Sequence, residues 1–227
     1  SLYRVNVTTV LHVTGAPDYI RYLIQFSDRM WAICDDGRAY YSGPADGSVW
    51  SLSANYISFN TQESQKLTGA AVFQGSLYIF TQNDLYRISG LSPTDFRLDK
   101  MSIGLGCADF NHCLGLAEGI YFLNRHGFYR WNGGELAELS QPIRNIFEYQ
   151  DYSYWPIAND NSTGDMIFFE NKIFISLLGG PGGGPYKMKT YVYDLKNKMW
   201  TGPYTSSETK IAETQINVKN KILKVSG

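Results

Sequence analysis

The sequence predicts an all-β fold, a five-bladed β-propeller whose ring is closed by N-terminal strands that complete the C-terminal blade. Three observations support this prediction: the composition, a repeat of short apolar strands, and the polar turns between those strands. Of the 227 residues, 15% are aromatic and only 18% are charged. Aromatic residues pack well on pleated sheets, whereas coiled coils, long helical bundles and disordered tails are rich in charge and poor in rings.

The repeat consists of apolar strands of one type that begin at residues 30, 77, 120, 173 and 222. A period of about 40–50 residues, with several strands in each unit, is typical of propeller blades. Each of these anchor strands follows another strand-like run across a short polar turn, which predicts a hairpin. A third strand follows each of the first four anchors. In two units this third strand has nearly the same amino-acid sequence, at 84–90 and 127–133.

The repeat predicts one domain over residues 1–227, with the blades at 18–60, 61–101, 102–150, 160–204 and 210–227 plus 1–15. The fifth unit stops after its second strand, and residues 2–6 match the missing third strand. Joining the two ends in one blade would remove exposed sheet edges. Fourth, outer strands are predicted at 56–59, 96–101 and 136–140. One helical turn is predicted at 142–148, with Ser140 as its cap.

Charge and hydropathy exclude several classes of protein. The net charge is −1 and no basic stripe stands out, so sequence-specific nucleic-acid binding is not predicted. The sequence contains no run of 18 apolar residues, so a membrane span is not predicted. No leader-like segment is visible either.

Neither a metal nor a cofactor is predicted. His12, His112 and His126 lack the spacing of zinc ligands, and His126 is expected in a solvated turn. Cys34, Cys107 and Cys113 are expected to be buried free thiols, with a Cys107–Cys113 bridge as the alternative.

Two segments are candidate contact surfaces. The glycine loop, residues 179–185, contains Gly180, Gly182 and Gly183 but no Gly-Lys-Ser/Thr, so it does not predict a phosphate site. We expect a protruding hairpin loop between the second and third strands of the fourth blade.

The second candidate surface is the aromatic segment, residues 149–155, which presents Tyr149, Tyr152, Tyr154 and Trp155 among polar neighbours. Such rings anchor protein interfaces or stack on sugars. The alternative is a connector whose rings fill the space between sheets.

Carboxylates provide an alternative of another class. Asp18, Asp109, Asp165 and Glu213 each fall just before a predicted first strand, where several could surround one channel mouth. Five-bladed glycosidases use an acid pair about 5–10 Å apart. Turn-forming aspartates before strands are also ordinary.

The chain also resembles a known family. The resemblance is clear over about residues 30–145, in the sequence segments 39–50, 55–57, 103–107, 119–134 and 140–143. These segments are similar to those of the β-propeller structural proteins of tailed bacteriophages, which are found in tail tubes, nozzles and head-to-tail completion parts. The resemblance implies a virion component that works by assembly and forms rings on the tail axis. The family has no single catalytic motif to carry over.

The sequence therefore predicts a non-enzymatic structural module of a phage tail. Its expected partners are other virion proteins, with a homo-oligomeric ring in the particle. The alternatives are a carbohydrate-binding propeller that recognises a host glycan and, third, a glycosidase.

Overall fold

The computed structural model describes residues 3–5, 10–59, 66–101, 103–148, 164–179, 187–205, 212–218 and 221–226. The chain forms two compact units, Ser1–Phe110 and Asn111–Gly227. Both contain antiparallel sheets, which confirms the predicted all-β class. The number of blades, the single propeller domain and the closure of its ring stay predictions.

The N-terminal hairpin opens the first unit, and the following strands form sheet 1. The hairpin pairs β1 (Tyr3–Val5) with β2 (Val10–His12). The strands of sheet 1 are β3 (Ile20–Phe26), β4 (Arg29–Cys34), β5 (Arg38–Gly43), β6 (Asp46–Trp50) and β7 (Tyr56–Ser58). The sheet is a meander in which β6 pairs with the C-terminal end of β5 and β7 pairs with its N-terminal end.

Sheet 2 is a plain four-stranded meander. Its first hairpin pairs Phe73 with Ser76 across Gln74 and Gly75, which both have positive φ, as in the two-residue turns that match the strand twist. Its strands are β8 (Leu67–Phe73), β9 (Ser76–Thr81), β10 (Leu85–Ser89) and β11 (Arg97–Met101).

The second unit contains two more four-stranded meanders and the C-terminal hairpin. Sheet 3 comprises β12 (Cys113–Leu116), β13 (Gly119–Asn124), β14 (Gly127–Trp131) and β15 (Leu136–Glu138). Sheet 4 comprises β16 (Gly164–Phe169), β17 (Lys172–Gly179), β18 (Lys187–Asp194) and β19 (Met199–Thr205). The hairpin pairs β20 (Ala212–Val218) with β21 (Lys221–Ser226). All five anchor strands and their hairpin partners are thus where the repeat predicts them.

The same three-ring arrangement joins the two sheets in each unit. In the first unit, Trp31 and Tyr41 are cross-strand partners in sheet 1, with ring centroids 5.0 Å apart. Phe96, directly before β11 of sheet 2, packs edge-on against both, at 5.2 and 5.3 Å. In the second unit, Tyr193 and Trp200 are the cross-strand pair, also 5.0 Å apart.

Phe128 of sheet 3 completes the second arrangement. Its ring packs edge-on against Tyr193 at 5.8 Å and Trp200 at 5.5 Å. The Trp200 indole N–H also donates to the Leu139 carbonyl oxygen at 2.8 Å, which ties sheet 4 to the end of sheet 3. Edge-on aromatic pairs each contribute about 0.5–1.5 kcal/mol beyond the burial of their area. In each unit, the two sheets therefore share a hydrophobic core cluster.

The outer strands are poor templates for strand addition. β7 and β15 have three residues each, and β11 carries Arg97, Asp99 and Lys100. β19 is longer, but it contains Pro203 and a register shift opposite residues 190–192. Short length, charge, proline and bulges are the usual protections of sheet edges.

The predicted helical turn is present and Ser140 lies at its cap position, but the Ser140 side chain does not cap it. A 3-10 turn covers Gln141–Ile143 and the helix α1 covers Asn145–Glu148. Ser140 occupies the cap position without a side-chain capping hydrogen bond. Its hydroxyl instead accepts from the Phe128 backbone N–H at 3.1 Å, because the chain turns back along β14 at this point.

The cysteine prediction is confirmed, since all three cysteines are buried and free. Burial, followed by the charges of Asp36, Asp35 and Asp18, raises the pKa of the Cys34 thiol to about 12. His126 is exposed in the turn between β13 and β14, as predicted.

The aromatic core predicts the cost of removing one ring. Phe128 is fully buried, so Phe128→Ala should lower the free energy of unfolding by about 3–5 kcal/mol. Met199 in the same unit is 60% exposed, and Met199→Ala should change it by less than about 0.5 kcal/mol. Urea denaturation followed by tryptophan fluorescence measures both. Equal losses from the two variants would contradict the shared core.

Candidate functional site

The two predicted contact surfaces fall on parts of the chain that the structure does not describe. Tyr149, Tyr152, Tyr154 and Trp155 of the aromatic segment follow α1 and lie outside the described residues. So do Gly180, Gly182 and Gly183 of the glycine loop. The strands that flank this loop are described: Gly179 of β17 pairs with Lys187 of β18, so the loop does join the second and third strands of a sheet.

The predicted carboxylates do not form a described catalytic pair. Asp109 lies 3.9 Å from the Arg21 guanidinium, which also lies 3.7 Å from Asp35. Asp18 is exposed just before β3, as predicted. Asp165 and Glu213 are not before their strands, which is a correction: they are the second residues of β16 and β20, because both strands begin earlier than the apolar pattern.

A groove between sheets 3 and 4 is the candidate site, and it lies wholly in the second unit. Its volume is about 300 Å³. Three neighbouring turns form its rim: β12–β13, β16–β17 and β18–β19. They contribute Glu118, Asn171 and Lys196.

The floor of the groove is apolar. Leu116 of β12, Phe168 of β16 and Leu195 after β18 line it. Each is partly buried and packs against the core shared by the two sheets. Apolar groups that stay partly in water at the bottom of a concave surface are typical of binding sites.

Hydrogen bonds hold the sheet 4 wall in place. The Leu195 backbone N–H donates to the Asn171 carbonyl oxygen at 2.9 Å, which links two of the turns. The Asp194 carboxylate accepts from the backbone N–H groups of Lys196 and Asn197, both at 2.9 Å, and from the Asn197 side-chain amide at 3.0 Å. The Asn197 N–H is the largest of the causes that lower the pKa of Asp194. The folded pKa lies below the unfolded one, so this stabilisation is complete above the ordinary aspartate pKa and is lost as pH falls through the lowered value.

Glycine fixes the sheet 3 wall. Leu116 pairs with Gly119 across the turn that carries Glu118. Gly119 has φ +151°, and a Cβ at this position would lie 2.5 Å from the Trp131 carbonyl oxygen. The turn can therefore approach β14 this closely only with glycine at residue 119.

Tyr121 brings a polar group to the inner end of this wall. Its hydroxyl donates to the Glu118 carboxylate at 3.4 Å, while its ring is 1% exposed. Burial, then the charge of Glu118, raises the pKa of Tyr121 to about 12, and Arg130 opposes the change. The hydroxyl therefore stays protonated at neutral pH, and it remains a donor. The groove thus carries a carboxylate with its donor on one wall and an ammonium group on the other.

The sequence carried only part of the signal for this groove. Two of its turns, at 118–119 and 170–172, are among the polar turns predicted before the anchor strands. Their convergence depends on the packing of sheet 3 against sheet 4, which no single motif encodes.

The described part of the chain contains no group of three or more histidine, cysteine or acidic side chains able to hold a metal ion. No helix in the described ranges is long and apolar enough to cross a membrane.

Comparisons with known proteins give structural likeness only. No protein-family model matches the chain, and no curated protein matches it. It is similar to the β-propeller domain of Cps50 (Swd1) from Myceliophteria thermophila, with a TM-score of 0.45, 12% identity, and coverage of 90% of this chain and 64% of that one. It is also similar to the N-terminal domain of Nup159, with a TM-score of 0.44, 11% identity, and coverage of 77% and 44%. The chain thus spans less than two thirds of either structure.

The glycine at the groove wall gives a direct test of its geometry. Gly119→Ala should destabilise the fold by about 1–3 kcal/mol, because alanine must adopt a disfavoured φ and its methyl group meets backbone. Gly134→Ala is the matched control, since a Cβ there meets nothing within 4 Å. Thermal unfolding measures both, and amide NMR shifts report the displacement of residues 117–118. A wild-type melting temperature for Gly119→Ala would refute this description of the wall.

Proposed function

We propose that the chain is a non-enzymatic assembly module, a five-bladed β-propeller of a phage tail that binds other virion proteins. Four successive antiparallel sheets with equivalent strands support the blade assignment. The sequence segments that resemble phage structural propellers support the assignment to a phage tail. The N-terminal and C-terminal hairpins supply the two halves that a closing fifth blade requires.

One observation carries the binding role: the groove has fixed walls and an apolar floor open to solvent. A linked pair of turns and a glycine-dependent turn hold its walls. A preformed surface loses little conformational freedom on binding, so its contacts convert efficiently into affinity. Rigid sheets that present turns are a natural scaffold for such contacts.

The outer edges point to the same mode of contact. Short, charged or proline-containing outer strands disfavour the addition of a partner strand. Partners are therefore expected to bind at turns and grooves.

The described tryptophans favour packing over sugar binding. Trp31 and Trp131 are buried, and the half-buried Trp50 and Trp200 donate their indole N–H to the backbone carbonyls of Gly47 and Leu139. A sugar platform needs a ring face open to solvent. No described contact favours the glycan or glycosidase alternatives.

A virion role predicts that the chain is present in purified particles and that copies of it associate with one another. Mass spectrometry of density-purified particles from the phage that encodes it should detect the chain in stoichiometric amounts. Light scattering of the isolated protein across a concentration series should show a discrete oligomer consistent with a ring. Absence of the chain from infectious particles would remove the virion assignment.

A further inference from the structure

We propose that the groove binds a short segment of a partner protein, which inserts one large apolar side chain between sheets 3 and 4. A basic residue of the segment would pair with Glu118, and an acidic one with Lys196. This proposal rests on the proposed function and names the chemistry of the partner.

The size of the groove limits its occupant. Its volume of about 300 Å³ stands at the lower end of ligand sites, which run from about 300 to 1,000 Å³. One large side chain with its backbone fits this space. A folded domain can reach it only through such a projecting residue.

The floor determines what that residue is. Leu116, Phe168 and Leu195 come from three different elements and converge on one apolar surface. A leucine, methionine or phenylalanine side chain placed there removes apolar area from water on both sides of the contact. A polar side chain would lose its hydration without gaining a partner at the floor.

The rim determines the charges beside it. Glu118 projects from the sheet 3 turn and Lys196 from the sheet 4 turn, and both are exposed. Exposed charges of opposite sign on facing walls contribute orientation and association rate more than affinity. They match a segment that has a basic residue on one side of its anchor and an acidic residue on the other.

Other ligand classes fit less well. A nucleotide or phosphate would meet the Glu118 carboxylate, and the described lining of the groove offers it a single lysine. A sugar would need an open ring face, but Tyr121 is buried and Phe168 is packed into the floor. A peptide segment alone combines an apolar anchor with charges of both signs.

The test uses an array of acetylated, amidated pentapeptides probed with the labelled full chain. Wild type should select peptides with a central leucine, methionine or phenylalanine between one basic and one acidic residue. Leu195→Asp should weaken binding of the selected peptides at least tenfold in fluorescence polarisation. Leu91→Asp is the matched control, because Leu91 is 78% exposed and lies outside the groove, and it should bind as wild type does.

Rim variants keep the test sharp if Leu195→Asp does not fold. Glu118→Lys should switch the selected basic position to acidic, and Lys196→Glu should switch the acidic position to basic. If these variants select the same peptides as wild type, binding occurs elsewhere. That result would overturn the proposal that the groove binds the segment, but it would not contradict the assembly role. Absence of any selected peptide would also overturn the proposal. Presence in virions is measured separately, so the two failures are distinguishable.

Discussion

The structure depends on edge-on aromatic packing between neighbouring sheets. A four-stranded meander is apolar on both faces of its middle strands, and it is stable only when another layer covers them. In each unit, a cross-strand aromatic pair of one sheet receives a single ring from the next, Phe96 onto Trp31 and Tyr41, and Phe128 onto Tyr193 and Trp200. The high aromatic content thus has a physical cause. Rings are the side chains large enough to bridge two twisted sheets and flat enough to interlock.

The candidate site follows from this packing. Once Phe128 and Trp200 fix sheet 3 against sheet 4, the turns at one end of the two sheets must lie side by side. The apolar residues just inside those turns, Leu116 and Phe168, are then only partly covered. The resulting groove needs no catalytic constellation, since its binding capacity comes from shape, an apolar floor and two charges. An assembly module of this kind would vary its partners by changing turn residues while keeping the ring contacts.

The sequence predicted the elements better than it predicted their arrangement. Anchor strands such as β9 and β13 were evident because apolar runs between two-residue polar turns have few alternative structures. Strand β6 and the outer strand β19 were not predicted, since neither sequence alternates between apolar and polar residues. In β19, every residue except Trp200 is exposed. Ser140 looked like a helix cap because the local motif was right, but a tertiary contact with Phe128 takes its hydroxyl. The groove could not be predicted from the sequence for a similar reason, because the residues of its two walls are distant in sequence.

A double-mutant cycle between Phe128 and Trp200 tests the account most directly. The two rings belong to different sheets and lie 5.5 Å apart. If their contact joins the sheets, Phe128→Leu and Trp200→Leu should show a coupling energy of about 0.5–1.5 kcal/mol in urea denaturation. Strictly additive losses, with coupling below about 0.3 kcal/mol, would contradict the claim that ring packing makes the two sheets one body.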